Sequence, residues 1–255
     1  MAFTVHAVMP GVWHIVDCMG VCMTLLEGEN AAMLVDTGYG IEDVADFMRH
    51  MTDLPLTVFL THNHHDHAMG ARCFPETYML EADMADWRMF TNDEMRRRVL
   101  TQAIGKNLPV DEKTFLAGEI PLPKVMKPGV IDLGGLTAEI IEAPGHTPGS
   151  AVVYVPERKL LLSGDDWNPC TWLFFPQALG LREYRSNMRG IQQLPFEKVL
   201  CPHRETLYDR WMFDDFFNAL TDGNLRAAEP VNIAPYEQID TCQATLPHDQ
   251  VLVFD

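Results

Sequence analysis

Four histidines and an aspartate lie within residues 61–67, which read Thr-His-Asn-His-His-Asp-His. The apolar residues 58–60 come directly before them and predict a buried strand. Several buried imidazoles side by side would each need a polar partner, because losing water without gaining a hydrogen bond is destabilising. A divalent cation satisfies several of them at once, since neutral imidazole and carboxylate are ligands of zinc, iron and manganese. We therefore predict a metal site where this strand ends, and we call residues 61–67 the histidine segment.

The spacing within the histidine segment predicts two metal positions. His62 and His64 are two residues apart, so in an extended chain their side chains point to the same side and can reach one cation. Asp66 and His67 come next, where the chain is expected to turn into a helix, and can reach a second position nearby. Two divalent cations about 3.5–4 Å apart are a known hydrolytic arrangement.

Three further candidate ligands follow predicted strands later in the chain. His146 is the strongest ligand in a loop of glycines and prolines, which restrict the backbone there. Asp165 follows the apolar residues 160–162, where a carboxylate could bridge two cations, and His203 follows residues 199–201. A single histidine at a strand end is more often a structural residue. Three such positions in this order, after the histidine segment, are far more specific.

The elements that must position these residues fall into two strand-rich halves. Short β-rich runs alternate with turn residues, and longer runs have the apolar spacing of amphipathic helices. Strands are predicted at residues 4–8, 12–17, 21–27, 31–36 and 56–60, and in the second half at 130–133, 136–142, 150–155, 160–163, 197–201 and 251–254. Helices are predicted at residues 41–51, 81–106, 181–194 and 209–220. This order predicts an α+β sandwich of two sheets flanked by helices, four layers in all.

Residues 1–255 are predicted to form a single domain, because this length suits one large domain and no repeat or low-complexity segment divides it. Residues 81–106 are helical in character and contain few helix breakers, whereas several prolines interrupt the residues that follow. We therefore predict a helical insertion or cap at about residues 83–128, between the two halves.

The chain is acidic, with 19 lysines and arginines against 36 aspartates and glutamates and a formal net charge of −17. This balance argues against nucleic acid or an anionic membrane as a partner. No apolar run reaches the roughly 18 residues of a membrane span, and the N-terminus lacks the basic start and apolar core of a signal peptide. We expect a cytoplasmic protein that acts on a small molecule. The six cysteines form no C-x-x-C pair and are predicted to be free thiols.

The motifs, taken in order, resemble those of the metallo-β-lactamase-fold hydrolases over about residues 11–204. The resemblance rests on five motifs: Leu34-Val35-Asp36-Thr37-Gly38, the histidine segment, Gly145-His146-Thr147-Pro148-Gly149-Ser150, Ser163-Gly164-Asp165 and Cys201-Pro202-His203. It implies an αββα sandwich with the metals at one edge, between the two halves. It also implies an enzyme that hydrolyses its substrate with the help of metal ions.

The resemblance implies a ligand set for two divalent ions: His62, His64 and His146 for the first, Asp66, His67 and His203 for the second, and Asp165 bridging both. Zinc is the expected metal, with manganese and iron as alternatives. Asp36 is similar to the family's acid that orients the histidine loop without binding metal, a role that agrees with the need of metal-bound imidazoles for outer partners. His65 alternates with His64 and is expected to face away.

Two departures from relatives of this fold narrow the function. Flavin-linked diiron relatives carry a glutamate where this chain has His64, which disfavours redox chemistry. The sequence Pro202-His203-Arg204-Glu205 differs from the Gly-His-Gly of glyoxalase II-like members, which weakens the case for a glutathione thioester as substrate.

The predicted reaction is hydrolysis of a small ester, thioester, lactone or amide by a hydroxide that bridges two metals. Asp66 and Asp165 are the predicted catalytic residues. Asp66 would accept a hydrogen bond from the nucleophile and pass a proton to the leaving group. Two alternatives remain on the same fold. An iron-dependent oxidoreductase, similar to a persulfide dioxygenase, is disfavoured by the complete set of seven ligands, and a phosphodiesterase or nuclease by the net charge of −17.

The sequence does not decide which residues surround the predicted metal site. The aromatic residues of 167–176 could line an apolar substrate pocket or form a core or dimer contact, so a homodimer remains an alternative. Tyr184, Arg182 and Arg185 follow on a predicted helix that could reach the site. The basic residues 96–98 are expected to lie on a solvated helix face, rather than to bind an anion.

Overall fold

Seventeen strands and eight α-helices form within residues 3–255, the part of the chain that the computed structural model describes. The strands are β1 (Thr4–Met9), β2 (Val12–Val16), β3 (Cys22–Glu27), β4 (Ala32–Val35), β5 (Leu56–Phe59), β6 (Tyr78–Met79), β7 (Lys124–Val125), β8 (Gly129–Asp132), β9 (Thr137–Glu142), β10 (Ala151–Val155), β11 (Leu160–Leu162), β12 (Cys170–Leu173), β13 (Lys198–Leu200), β14 (Tyr208–Asp209), β15 (Glu229–Val231), β16 (Thr241–Leu246) and β17 (Gln250–Phe254). The helices are α1 (Val44–Met51), α2 (His65–Ala68), α3 (Trp87–Thr91), α4 (Asp93–Gly105), α5 (Glu112–Phe115), α6 (Leu181–Ile191), α7 (Arg210–Ala219) and α8 (Asp222–Arg226).

Two large sheets are built from the two halves of the chain. The first sheet has seven strands in the order β1 to β7, antiparallel up to β4 and parallel from there on. The second has six strands in the order β14-β13-β11-β10-β9-β8. Because β10 is antiparallel to both β9 and β11, and β11 is parallel to β13, the strands β9, β11 and β13 all end at the same edge.

The sheets pack face to face around a continuous apolar core. Leu26 and Phe59 of the first sheet meet Ile140, Val153 and Leu162 of the second, and all five side chains are buried. Every residue of β10 and β11 is buried, so both faces of these strands are covered. Strands covered on both faces appear in the sequence as continuous apolar runs, and this is why 150–155 and 160–163 were predictable.

Helices cover the outer face of each sheet. α1 packs Val44, Ala45 and Met48 against the first sheet, and Asp43 caps its N-terminus by accepting a hydrogen bond from the amide of Asp46. On the other side, α6 and α7 bury apolar residues spaced three or four apart against the second sheet: Tyr184, Met188 and Ile191 from α6, and Phe213 and Phe216 from α7. The layers are therefore helix, sheet, sheet and helix, which confirms the predicted α+β sandwich.

Two features differ from the sequence prediction. The predicted helix 81–106 is divided into a 3-10 turn, α3 and α4, because Asn92 leaves the helical conformation and caps α4 by accepting from the amide of Met95. A third sheet also forms, in the order β12-β17-β16-β15, of which only β17 was predicted. The strand β12 pairs in parallel with β17 far along the chain, a pairing that no local pattern encodes.

The helices α3, α4 and α5 pack together beside the histidine segment. Trp87, Val99 and Phe115 are buried in one cluster with Met69, which follows α2. The strand β7 comes after these helices and pairs with β6, so the end of the predicted 83–128 insertion belongs to the first sheet. Whether these residues act as a cap on a single domain stays a prediction. None of the helices within residues 3–255 has both the length and the apolar character needed to cross a membrane.

Candidate metal centre

All predicted metal ligands lie at one edge of the sandwich, because each follows a strand that ends there. His62 and His64 come after β5, and α2 begins at His65 and carries Asp66 and His67. In the second sheet, His146 follows β9, Asp165 follows β11 and His203 follows β13, and these three strands run in the same direction. The fold therefore carries side chains from distant parts of the chain to a common point.

The side chains form two groups whose ligand atoms lie within 4.8 Å of one another. The members are His62, His64 and His146 in the first group, and Asp66, His67, Asp165 and His203 in the second. The division matches the sets that the sequence resemblance implies. The role of each residue as a ligand stays a prediction, because proximity by itself does not show that a side chain binds metal.

The carboxylate of Asp165 lies between the two groups. Its Oδ2 is 3.4 Å from His67 Nε2, 3.5 Å from His146 Nε2 and 4.0 Å from His62 Nε2, and the carboxylate is 3.1 Å from His203 Nε2. It therefore contacts histidines of both groups, and this is the geometry that a bridging carboxylate needs.

Asp36 orients the histidine segment from behind. Its carboxylate accepts hydrogen bonds from the amide and the hydroxyl of Thr61, at 2.7 Å and 2.9 Å, and lies 3.0 Å from His67 Nδ1. The Thr61 hydroxyl is in turn 3.0 Å from His62 Nδ1. Because Nδ1 of His62 and Nδ1 of His67 donate to the Thr61 hydroxyl and to Asp36, Nε2 of each ring keeps its lone pair free to bind a cation. Asp36 thus has the position expected for the orienting acid.

His146 is held in the same way by groups that the sequence did not indicate. Its Nδ1 donates to the carbonyl of Trp172 at 2.7 Å, and its backbone amide donates to Asp166 Oδ1 at 2.9 Å. Burial raises the pKa of Asp166 well above its usual range, which favours the neutral carboxyl. His146 Nε2 is left facing the first group, 2.8 Å from His64 Nδ1.

The donor set fits divalent metal ions. His62 Nε2 and His67 Nε2 are fully buried and have no hydrogen-bond partner within residues 3–255. An unpaired buried polar atom costs about 1–3 kcal/mol, and a cation would satisfy both. Imidazole nitrogens and carboxylate oxygens suit zinc, manganese and iron alike, so the residues do not select one of these metals.

The two groups differ in charge. Burial lowers the pKa of His62, and of His64 beside it, well below the usual histidine value, so both rings are neutral. Burial acts in the same direction on His67, but the carboxylates of Asp165 and Asp66 outweigh it and raise its pKa well above the usual value. His203 is raised for the same reason, against the effect of burial. The first group is therefore a neutral imidazole set, whereas the second combines carboxylates with histidines that favour protonation when no cation is bound.

A cavity of about 630 Å³ opens onto both groups. Trp172 and Phe175, from the aromatic residues 167–176, line it, so this stretch contributes to a pocket wall. Phe90 joins the wall from α3 and Tyr236 from the segment before β16. Phe175 packs 5.3 Å from Tyr236 and 4.8 Å from His64, measured between ring centroids. Whether the aromatic residues also form a contact between copies of the chain stays untested.

Of the basic residues 96–98, Arg97 and Arg98 are exposed on the helix face as predicted, whereas Arg96 is not. Arg96 is buried, and it donates to backbone carbonyls after α5, including that of Gly118 at 2.6 Å. It thereby ties α4 to the turn that follows α5, and it lies over the ring of Phe115, 6.0 Å from its centroid. Arg98 is exposed, pairs with Glu94 at 2.6 Å and lines the cavity.

Four other residues lie elsewhere than expected. Tyr184 is fully buried, and its hydroxyl donates to the carbonyl of Asp166. It therefore stabilises the backbone of the site. Arg185 pairs with Asp222 on the surface at 2.9 Å. Neither Arg185 nor Arg182 is among the described residues that line the cavity. His65, expected to face away, belongs to neither ligand group but lines the cavity.

Several residues of the site were not predicted from the sequence. Asp166 stands next to Asp165, and a paired acid at a strand end was the one available hint. Gln177 contacts His64, and Tyr236 enters from the C-terminal part of the chain, where no motif marks it. These residues are recognised only when the chain is folded.

The fold and this site are those of a metal-binding hydrolase class, and the comparison with known families agrees. The family model of the metallo-beta-lactamase superfamily matches residues 16–203. The chain therefore belongs to the metallo-beta-lactamase superfamily and is a hydrolase.

Individual relatives are more distant. The chain is 26% identical over 200 residues to a protein of Gallus gallus named acyl-coenzyme A thioesterase MBLAC2, a match that covers 70% of each chain. Among solved structures, a metallo-beta-lactamase from Pontibacter korlensis aligns with a TM-score of 0.61 at 18% identity, over 85% of this chain and 98% of that one. A sec-alkylsulfatase from a Pseudomonas species aligns with a TM-score of 0.66 at 15% identity, over 88% of this chain and 42% of that one. At such identities the structures share the fold, and the different reactions in their names show that the fold does not select the substrate.

Proposed function

We propose that this chain is a dinuclear metal-dependent hydrolase of a small ester, thioester, lactone or amide, and that an acyl thioester is its preferred substrate. The proposal is carried by one observation: two groups of predicted ligands face a cavity whose wall contains aromatic side chains. The thioesterase name of the Gallus gallus relative favours a thioester within this range.

The first cation would be held by His62, His64 and His146, and the second by the remaining predicted ligands, Asp66, His67, Asp165 and His203. Zinc is the first choice of metal, with manganese and iron as alternatives. When bound, the cations would supply a hydroxide nucleophile near neutral pH and would polarise the scissile carbonyl.

Asp66 is the residue we assign to proton transfer. Its Oδ2 lies 3.6 Å from His67 Nε2 and 3.7 Å from His203 Nε2, and its side chain lines the cavity. Burial would raise the pKa of Asp66, but the neighbouring histidines lower it to about 2. The carboxylate is therefore ionised at neutral pH, so it can accept a hydrogen bond from the nucleophile and then pass a proton to the leaving group.

The aromatic wall supports an apolar acyl group as the part of the substrate next to the metals. Phe90, Trp172, Phe175 and Tyr236 line the cavity, and two of these rings lie beside ligand histidines. Burying an acyl chain against such rings contributes about 25 cal/mol for each Å² of apolar surface removed from water. The same rings exclude water from the reacting carbonyl, which strengthens the electrostatic interactions there.

The test is a hydrolysis panel on zinc- and manganese-loaded protein. The panel contains short and long acyl thioesters, an aryl ester, a lactone, a chromogenic β-lactam, an alkyl sulfate and a phosphodiester. We expect acyl thioesters to be cleaved fastest, and Asp165→Ala to abolish the activity while circular dichroism shows an intact fold. Full activity in that variant, or no cleavage of any carbonyl substrate with both metals bound, would contradict the proposal.

The two alternatives give different results in the same experiment. A phosphodiesterase or nuclease would cleave the phosphodiester alone. A persulfide dioxygenase-like oxidoreductase would be silent throughout the panel and would consume oxygen only when it is loaded with iron and supplied with a persulfide.

The other properties predicted from the sequence remain part of the proposal. We propose a small-molecule substrate without nucleic-acid or membrane partners, a cytoplasmic location, and a homodimer as an alternative to the monomer. The net charge of −17 supports the absence of polyanionic partners.

A further inference from the structure

One side-chain amide contacts a predicted ligand histidine within the described part of the chain. The side-chain nitrogen of Gln177 lies 2.8 Å from His64 Nε2. The side-chain oxygen of the same glutamine is fully buried and has no hydrogen-bond partner among residues 3–255. Gln177 follows β12 and lines the cavity together with His146 and Asp165.

The two nitrogens of His64 have different surroundings. Nδ1 faces His146 Nε2 at 2.8 Å, within the first ligand group, and Nε2 faces Gln177. A cation bound to Nδ1 uses the lone pair there, so the proton of the neutral ring must sit on Nε2, which then donates. Facing that proton with an amide NH₂ group would oppose two donors.

Exchanging the oxygen and nitrogen of the Gln177 amide removes this conflict. The two ends of an amide have nearly the same shape, and their assignment follows from the hydrogen-bond network. After the exchange, Oε1 accepts from His64 Nε2–H, so the oxygen that lacked a partner gains one. The NH₂ group then occupies the buried position that Oε1 held.

We propose that Gln177 is a positioning residue for the first metal position: its side-chain oxygen accepts from His64 Nε2–H and so fixes the tautomer and orientation of that ring. The proposal rests on the metal site of the proposed function, and its test needs no substrate.

The environment of His64 makes this contact difficult to replace. His62 and His146 have the Thr61 hydroxyl and the Trp172 carbonyl as outer partners. The His64 ring otherwise packs against Phe90 at 4.5 Å and Phe175 at 4.8 Å between centroids, and it is buried. Without Gln177, Nε2–H would face apolar rings, and the ring would lose the contact that sets its tautomer and orientation.

Two substitutions test this contact. Gln177→Met keeps the length of the side chain and removes the acceptor. Gln177→Glu is the conservative variant, because it keeps an acceptor for His64 Nε2–H. Gln193→Met is the matched control, because Gln193 is exposed just after α6 and is absent from the described cavity lining.

Zinc affinity, measured by competition with a chromogenic chelator, tests the positioning role without any substrate. We expect Gln177→Met to weaken zinc binding by about 10–100-fold, the usual effect of losing an outer partner, and Gln193→Met to leave it unchanged. We expect Gln177→Glu to retain the affinity or increase it. Unchanged affinity in Gln177→Met would overturn the positioning role.

The tautomer of His64 gives a second readout that needs only the wild-type protein. Long-range ¹H–¹⁵N NMR of the zinc-loaded protein, with His64→Gln used for assignment, should place the His64 proton on Nε2. A proton on Nδ1 would overturn the proposal even if the Gln177→Met variant does not fold.

If the panel identifies no substrate, the proposed function fails, whereas the zinc and NMR results still decide the positioning role.

Discussion

The two ligand groups of the site are built from different chemistry, although they lie side by side. The first consists of three histidines whose rings are kept neutral by burial. The second contains two carboxylates, and its histidines are held by Asp36 and Asp165. Only the second group can deliver a proton acceptor to the cavity, through Asp66. We infer that the first group mainly holds a cation that polarises the substrate carbonyl. The second group holds a cation and also takes part in proton transfer.

The largest expected effect comes from removing the carboxylate that the two groups share. Asp165→Asn keeps the shape of the side chain and loses its charge, and we expect kcat to fall by about 10³-fold and zinc content to drop below two per chain. Activity assays and metal analysis on the same sample measure both effects. Asp53→Asn, at an exposed position before β5, is the control. Two zinc ions retained with normal turnover would show that Asp165 does not bridge.

The next effect should be confined to the second group. Asp36→Asn removes the carboxylate beside His67 Nδ1, so we expect the weaker of two zinc affinities to fall by about 10–100-fold, with a smaller change in the stronger one. Isothermal titration calorimetry resolves the two binding steps. Equal losses at both steps would mean that Asp36 supports the whole histidine segment, through Thr61, rather than the second group.

Lowering the pH should remove metal from the second group before the first. A ligand histidine must be neutral, and a ring with a raised pKa takes up its proton at higher pH. Although burial opposes it, nearby carboxylates raise the pKa of His67 and His203 above 6.5, whereas burial lowers that of His62 and His64 below 6.5. Zinc affinity of the second group should therefore fall by about tenfold per pH unit for each protonating histidine, starting above pH 6.5.

Equilibrium dialysis between about pH 8 and about pH 5 checks this order, because it spans the range in which histidines titrate. We expect zinc content to fall from two per chain to one before the second ion is lost. Simultaneous loss of both ions would contradict the difference between the groups.

The smallest effect should come from the cavity wall, which belongs to neither group. Tyr236→Ala removes a ring that packs against Phe175, so we expect KM for a long acyl thioester to rise about tenfold while zinc content stays at two per chain. The exposed Trp211→Ala is the matched aromatic control. An equal rise in KM for acetyl and long acyl thioesters would mean that the wall does not bind the acyl chain.

Part of the fold was predictable because its central strands, such as β10 and β11, are buried on both faces. Continuous apolar runs such as β10 and β11 therefore stand out in the sequence, and acids or histidines directly after them mark one sheet edge. The division of helix 81–106 was not predicted, because Asn92 is a modest local signal that acts only when the chain turns there. Arg96 was misplaced because its partners are backbone carbonyls in a distant turn, which no side-chain pattern reveals.

The sequence by itself determined which residues gather at the site, because each of the seven predicted ligands follows a strand and the spacing within the histidine segment sets which side chains point together. The tertiary structure alone decided that the Trp172 carbonyl and Gln177 contact rings of predicted ligands, and that Tyr236 lines the cavity. The reason is physical. The spacing of side chains within one segment is a local property of the sequence. These contacts join residues from separate strands and loops, and such residues come together only when the sheets pack.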